Sequence, residues 1–258
     1  MNTWMYAYKM GSDSAVKLAS ELEIPQVKHE GTLVKGCPER TLINWGSSKV
    51  PQDLLQCFVL NHPTMVSNVV DKISTYEMLE LSCRIPDWTI RQATAKKWIL
   101  DGFSVLARTV TQGKQGEGIT VCKTLESLIP AKVYCKYIPK SSEYRVHIFD
   151  GKVIGYQIRM KNPEWASEDF SPEVCTFTNG WQLKNLISYT PPEDVKTQAL
   201  KAVTRSGLLF GAVDVLWCAD TNKAFVAEIN TAAWLNKQYS EKYANAIRKY
   251  LEESGRSL

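Results

Sequence analysis

Alternation of apolar and polar positions is clearest between Phe210 and Trp234, in FGAVDVLWCADTNKAFVAEINTAAW. Two strand-like runs, Phe210–Trp217 and Ala224–Asn230, flank a polar loop holding Asp220, Thr221 and Asn222. Period two places Phe210, Ala212, Asp214 and Leu216 on one face of the first run. It places Ala224, Val226, Glu228 and Asn230 on one face of the second. Among several registers, the one with Cys218 opposite Ala224 sets Asp214 directly across from Glu228, with Asn230 as diagonal neighbour. Like charges opposite one another destabilise a sheet, and acids in apolar strands are costly to bury unpaired. A divalent cation relieves both costs, and two carboxylates with an amide oxygen are hard ligands suited to Mg²⁺. Acids turned to solvent or paired with lysines are the alternative.

The same patterning predicts a strand at Trp4–Lys9, a turn and cap at Gly11-Ser12-Asp13-Ser14, and a helix with Ala15, Leu18, Ala19 and Leu22 on one face, ended by Pro25. Strands follow at Thr41–Trp45 and Leu55–Leu60. Strand, helix, strand is the rhythm of a small α/β lobe with a parallel sheet. Asn68 is expected to cap a helix from Val69 to about Cys83, with Asp71-Lys72 in its first turn. Pro86 and Trp88 mark a linker. Phe103–Arg108 is a strand running into Gln112–Ile119, where three glycines lie within six residues. Such a loop lets backbone N–H groups approach an anion, or is simply a hairpin tip.

Val133–Ile138 is the next strand, followed by a hairpin of Glu143–Phe149 and Val153–Lys161. A three-residue loop with a bulge, Asp150-Gly151-Lys152, puts Tyr144, Val146 and Ile148 on the same face as Ile154, Tyr156, Ile158 and Met160. The other face then carries Glu143, Arg145, His147, Gln157, Arg159 and Lys161. It is either a solvated surface or a cationic strip that holds an anion such as phosphate. Residues 162–190, with Trp165, Asn179-Gly180 and Trp181, read as a loop with a turn or short hairpin. A helix opens at Pro191-Pro192-Glu193-Asp194, with Val195, Ala199, Ala202 and Val203 inside and Gly207 closing it. A last helix, about Gln238–Glu253, is a core cover.

Composition narrows the function classes. The 258 residues carry a net charge of +4 without a basic cluster, which disfavours nucleic acid as a partner. Seven cysteines without a CxxC pair suggest reduced thiols rather than a disulfide framework or zinc site. No signal peptide or membrane-length apolar run is visible, so the expected location is cytoplasmic. Neither a dinucleotide fingerprint nor a Walker loop is present.

In this order, the metal-like strands AVDVLW…FVAEINTAAW and the segment SNVVDKISTYEMLELSCRIPDW resemble the ATP-grasp superfamily, particularly ligases related to the ribosomal-protein glutamate ligase and D-alanine:D-alanine ligase. The resemblance covers roughly Asn61 to Trp234. It implies an α/β chain of the ATP-grasp fold: a small parallel N-terminal lobe (1–86), a glycine-loop lid lobe (87–138) and a C-terminal lobe with the metal site (139–258). It implies ATP and one or two Mg²⁺, with Mn²⁺ as substitute, held by Asp214, Glu228 and Asn230. Lys72 and Arg108 would contact phosphates, and the loop with Gly113, Lys114, Gly116 and Gly118 would fold over them. Lys136, Tyr137 and Ile138 would read adenine through the backbone, Glu143 would face the ribose, and Arg145 and Arg159 would be catalytic.

The activity so implied is carboxylate–amine ligation through an acyl-phosphate. The rivals are an ATP-binding module without turnover and a phosphotransferase. The partners implied are a small-molecule or peptide substrate carrying a carboxylate, and an amine, with homo-oligomers allowed and no membrane. The chain departs from the family pattern in three places. Arg108 stands where lysine is usual, Cys135-Lys136 lack the usual hinge acid, and Ala233 replaces a proline. Asp214→Ala and Glu228→Ala are each expected to abolish Mg·ATP turnover with the fold intact.

Overall fold

The structure is a computed structural model that describes residues 2–113, 116–165 and 172–258. It opens with a three-stranded parallel sheet, in the order β1 (Thr3–Ala7), β2 (Thr41–Trp45), β3 (Phe58–Leu60). Helix α1 (Asp13–Leu22) buries Ala15, Leu18, Ala19 and Leu22, as the periodicity predicts. It stops before Pro25, because Glu23 turns left-handed and its N–H caps the carbonyls of Ala19 and Ser20. The third strand is shorter than expected, since Gln52–Gln56 forms a 3₁₀ turn that buries Leu54.

The single helix expected from Val69 is two helices, α2 (Pro63–Val70) and α3 (Lys72–Leu79). Asn68 lies inside α2 and caps nothing. Asp71 is extended between them, and its Oδ1 accepts from the N–H groups of Ile73 (3.0 Å) and Ser74 (3.2 Å). Aspartate favours an N-cap over a helix interior because its side chain replaces the missing backbone acceptor. That break makes Lys72 the first residue of α3.

A second, antiparallel sheet has the order β4 (Trp88–Thr89), β7 (Val133–Lys136), β5 (Val105–Arg108), β6 (Ile119–Cys122). The expected linker residue Trp88 belongs to its edge strand. Helix α4 (Gln92–Leu100), which the patterning did not predict, packs Ala95 and Ile99 on Val105, Ala107 and Tyr134.

The third sheet is also antiparallel, in the order β10 (Trp181–Asn185), β9 (Lys152–Lys161), β8 (Ser142–Phe149), β11 (Phe210–Cys218), β12 (Lys223–Asn230). Helix α5 (Glu193–Ser206) covers one face, with Val195, Ala199, Ala202 and Val203 against Val146, Ile148, Val213 and Val215. Helix α6 (Lys237–Glu253) fills the space between the first and third sheets. Its Tyr239, Tyr243 and Ile247 share a core with Leu18, Ile43, Trp45, Phe149 and Phe210.

Both hairpins differ from the expected registers, each through a bulge. In β8–β9 the turn is two residues, Asp150 (φ 47°) and Gly151 (φ 65°), with Phe149 opposite Lys152. Two left-handed residues in succession match the twist of a tight hairpin. Ile154 is then bulged, which restores the expected pairing of Tyr144 with Ile158 but turns Ile154 toward the core of Phe149 and Phe210. In β11–β12, Cys218 pairs with Lys223 rather than Ala224, and the register shifts beyond Asp214. The extra residue is Ala227. It keeps Asp214 opposite Glu228 but separates Ala224 and Val226, which lie in the α5 core, from Glu228 and Asn230 on the other face.

Asn61 joins the first sheet to the third. Held at φ 63°, it accepts on Oδ1 from Leu209 N–H (2.8 Å) and Phe210 N–H (3.3 Å), and its Nδ2 donates to the Phe210 carbonyl (2.8 Å). Asn61→Ala is expected to cost about 3 kcal/mol, because three buried backbone groups lose their partners. Denaturant unfolding with an unchanged m-value would check this. Among the described residues no helix is long and apolar enough to cross a membrane, and all seven cysteines are free.

Candidate functional site

The bulge at Ala227 and the pairing of β11 with β8 put Glu228, Asp214, Arg145 and Gln157 in one row across four strands. The face opposite α5 is therefore polar at its centre, as the alternation of β8 and β9 requires. Asp214 is nearly inaccessible there, 4% exposed. Its Oδ1 accepts from Arg145 Nε (2.7 Å), and its Oδ2 accepts from Arg145 Nη2 (2.8 Å) and Arg159 Nη2 (3.0 Å). Burial alone would raise the Asp214 carboxyl, but Arg145 and then Arg159 hold it well below the usual carboxylate range. Burial works against the charge on Arg159 too, and Asp214 and Glu143 more than restore it.

Glu143 is one step along β8. Its Oε1 accepts from Arg159 Nε (2.5 Å), and its Oε2 lies 3.6 Å from Lys140 Nζ. Burial pushes the Glu143 carboxyl up, against the pull of Arg159 and Lys140. Lys72, buried at the start of α3, places Nζ 3.2 Å from Glu228 Oε2. Arg108, at the end of β5, is half-buried near Tyr76, Cys135 and Glu228. Burial opposes its charge, but those neighbours hold the guanidinium protonated. The structure thus brings together Lys72, Arg108, Glu143, Arg145, Arg159, Asp214 and Glu228.

Two buried nitrogens here, Arg108 Nε and Asn230 Nδ2, have no hydrogen-bond partner among the described residues. Those residues contain no group of three or more His, Cys, Asp or Glu suited to a metal. The set Asp214, Glu228 and Asn230 instead offers two facing carboxylates and an amide. That donor chemistry fits a hard divalent cation, with the Asn230 amide contributing its Oδ1; the unpartnered Asn230 Nδ2 is a hydrogen-bond donor left for another group.

The proposed hinge is only partly open. Lys136 N–H donates to the Asp87 carbonyl (2.8 Å) and Tyr137 N–H to Ser104 (2.9 Å), so both serve the second sheet. The Lys136 ammonium points away, 2.9 Å from Asp87 Oδ2 and over the Phe103 ring. Ile138 N–H makes no bond to a described residue, while its carbonyl accepts from Lys140 N–H (2.7 Å). Gly113, Gly116 and Gly118 lie at the β5–β6 hairpin tip, and Lys114 lies outside the described residues. Gly116 (φ 80°) backs onto Thr176, whose Cγ2 would be 3.0 Å from an added Cβ.

Sequence reasoning missed Lys140. Its side chain is buried between Glu143 and the Glu173 carbonyl (3.0 Å), but a lysine in a Pro-Lys-Ser-Ser loop carries no signal of that. His147, on the charged face, is fully buried. Its Nε2 bonds Gln157 Oε1 (2.9 Å) and its Nδ1 bonds the Tyr243 hydroxyl (3.2 Å). Burial pushes its pKa down to about 3. The ring is neutral in the folded protein, while the unfolded chain takes up a proton near pH 6.5. Stability held above pH 6.5 is therefore lost as pH falls toward 3. Between pH 7 and pH 5 the wild type is expected to lose about 2 kcal/mol more than His147→Gln, read by denaturant unfolding at both values.

No protein-family model matches the sequence, and no curated protein matches it. Solved structures do. A D-alanine–D-alanine ligase from Bacillus anthracis is similar over 99% of this chain and 99% of its own, with TM-score 0.69 and 15% identity. The ATP-grasp ligase PsnB, complexed with minimal precursor, Mg and ADP, matches over 95% of this chain and 96% of its own, with TM-score 0.68 and 13% identity. The D-cycloserine synthetase DcsG matches over 96% and 99%, with TM-score 0.65 and 14% identity. Likeness at this level of identity establishes architecture. The three sheets and nearly the whole length of the chain are accounted for by it, and the fold of this chain is the ATP-grasp fold.

Proposed function

We propose that the chain is a Mg·ATP-dependent ligase that joins a carboxylate to an amine through an acyl-phosphate, releasing ADP and phosphate. The observation that carries this is the interleaving of Asp214 and Glu228 with Lys72, Arg145 and Arg159 in one ion-paired cluster. Counting Arg108, Lys140 and Glu143, five cations face three acids, a surplus of two positive charges. A site of that charge suits a dianionic Mg·ATP complex better than a free cation or a neutral ligand.

Asp214, Glu228 and Asn230 would hold the cation, which supplies Lewis-acid neutralisation of phosphate charge when bound. Lys72 and Arg108 reach the phosphates from the side of the second sheet. Ile138 N–H is the hinge group with capacity for adenine. Gly113, Gly116 and Gly118 would close over the phosphates. Arg145 and Arg159 offer N–H groups to the transferred phosphate and then to the oxyanion formed when the amine attacks. An amine that arrives deprotonated needs no protein base, and neutral His147, enclosed by Gln157 and Tyr243, is not placed to be one. We assign the lobes to 1–86, 87–138 and 139–258, supported by the three sheets. The free thiols support a reducing, cytoplasmic setting.

PsnB is described with a minimal precursor, and DcsG is described as a D-cycloserine synthetase. For this chain both a small-molecule and a peptide carboxylate are to be tried. Incubation with Mg·ATP and pooled amino acids, peptides and cell extract tests the proposal. ADP with a new amide mass supports ligation. ADP with a phosphorylated product supports phosphotransfer, and thermal stabilisation by ATP without product supports a binding module.

A further inference from the structure

Two departures from the family pattern, Arg108 for lysine and Cys135 for the hinge acid, meet in space. Leu106 pairs with Cys135 and Arg108 with Val133, so Arg108 and Cys135 are diagonal neighbours on adjoining strands. Their face is the one turned away from α4, which packs instead on Val105, Ala107 and Tyr134. Helix α3 meets that face through Ile73 and Tyr76, which share a core with Leu106, Val133 and Cys135. The start of α3 is tied to the β5–β6 connection, with Lys72 N–H on the Thr111 carbonyl (2.9 Å). Tyr76 stands one turn beyond Lys72 on the same buried stripe, 3% exposed, with its ring 5.5 Å from that of Trp88.

The Cys135 thiol donates to the Tyr76 hydroxyl at 3.4 Å, and the Arg108 guanidinium lies beside both. Burial raises the thiol and the phenol, so both are neutral at ordinary pH. Neutral lone pairs orient a guanidinium without cancelling its charge. A carboxylate in the place of Cys135 would lower the local charge by one and compete with phosphate for the arginine fork. Lysine, a point charge on a flexible stem, has less to gain from such a cradle. Arg108 Nε is itself inaccessible and without a partner among the described residues, a donor not consumed inside the protein.

We infer that Tyr76 and Cys135 are positioning residues, a neutral cradle that aims Arg108 at the nucleotide phosphates and lets an arginine serve where lysine is usual. The inference rests on the Mg·ATP reading of the site. Titration calorimetry on the full chain, with Mg·ATP and with adenosine, tests it. Tyr76→Phe and Cys135→Ala are each measured alone and on the Arg108→Met background.

Each single change is expected to weaken Mg·ATP about fivefold, the effect of one lost neutral hydrogen bond. Adenosine, which has no phosphate, is expected to stay within about twofold. On the Arg108→Met background the loss for Mg·ATP should shrink to within about twofold, the mark of coupled residues. Cys135→Glu tests the exchange itself. It is expected to weaken Mg·ATP about tenfold beside Arg108, and less than about threefold when combined with Arg108→Lys. Tyr76→Phe keeps its ring in the core and carries the cycle alone where a Cys135 variant does not fold; the cycle decides alone where adenosine is too weak to titrate. A loss that persists without Arg108, or that is equal for adenosine, overturns the inference. A Cys135→Glu chain as tight as the wild type also overturns it. A wild-type chain that fails to bind Mg·ATP at all instead sinks the proposed function, and this inference falls with it.

Discussion

Asp214→Ala is expected to abolish Mg·ATP binding and also to cost about 3–5 kcal/mol of folding stability, the penalty for leaving buried charge unpaired. The sequence reading expects the fold to survive this change; the pairing of Asp214 in the structure argues for a loss of stability. Both oxygens of Asp214 are filled by Arg145 and Arg159, and its side chain is 6% exposed. Removing it takes away the carboxylate that pairs the buried Arg145 guanidinium and leaves Arg159 with Glu143 alone.

Glu228 is the contrast. Its side chain is 42% exposed and its partner is Lys72. Glu228→Gln keeps an acceptor for that lysine, so binding of Mg·ATP should be lost while stability falls by about 1 kcal/mol or less. Urea midpoints and titration calorimetry on the two variants separate the effects. Wild-type stability in Asp214→Ala would refute the paired buried cluster, and undiminished ADP release in either variant would refute the metal assignment.

Arg145→Ala should lower kcat for ADP release on the order of 10²–10³-fold, the usual effect of deleting one donor aimed at developing charge. Arg145 sits directly opposite Asp214 on the neighbouring strand and binds it through two parallel N–H groups. The same fork suits a phosphate oxygen pair. Arg145→Lys carries the charge but not the fork, and should recover only part of the rate. A change confined to KM would make Arg145 a substrate-positioning group and leave Arg159 as the donor to the transferred phosphate.

Much of this site was legible along the chain because strands announce themselves by period two. The run Phe210–Asn230 placed Asp214 opposite Glu228, and the β8–β9 pattern collected Glu143, Arg145, His147, Gln157 and Arg159 on one face. Patterning calls for a bulge at the Asp150–Lys152 turn but does not place it at Ile154, and it gives no sign of the one at Ala227. A bulge adds one residue without disturbing composition, so its only trace is an alternation that breaks. At Ala227 the break hides, because Ala224–Ala227 is an unbroken run of apolar residues. The register of each pair near the site was therefore anticipated, while the turn that leads to it was not.

Lys140, Asn61 and the partly occupied hinge belong to a second class. Their roles depend on partners distant along the chain, such as the Phe210 backbone for Asn61 and the Glu173 carbonyl for Lys140. Nothing local distinguishes them from ordinary turn residues.

The sequence by itself determined the strand faces, the helix stripes of α1 and α5, and which charges could meet. These follow from the fixed periods of the backbone. Only the tertiary structure decided that Asp214 is clamped by two arginines, that Glu143 is committed to Arg159, and that His147 is locked neutral. Each of those is a matter of burial, and burial arises where α6 and the paired strands of the third sheet exclude water from a face that the sequence marks only as polar.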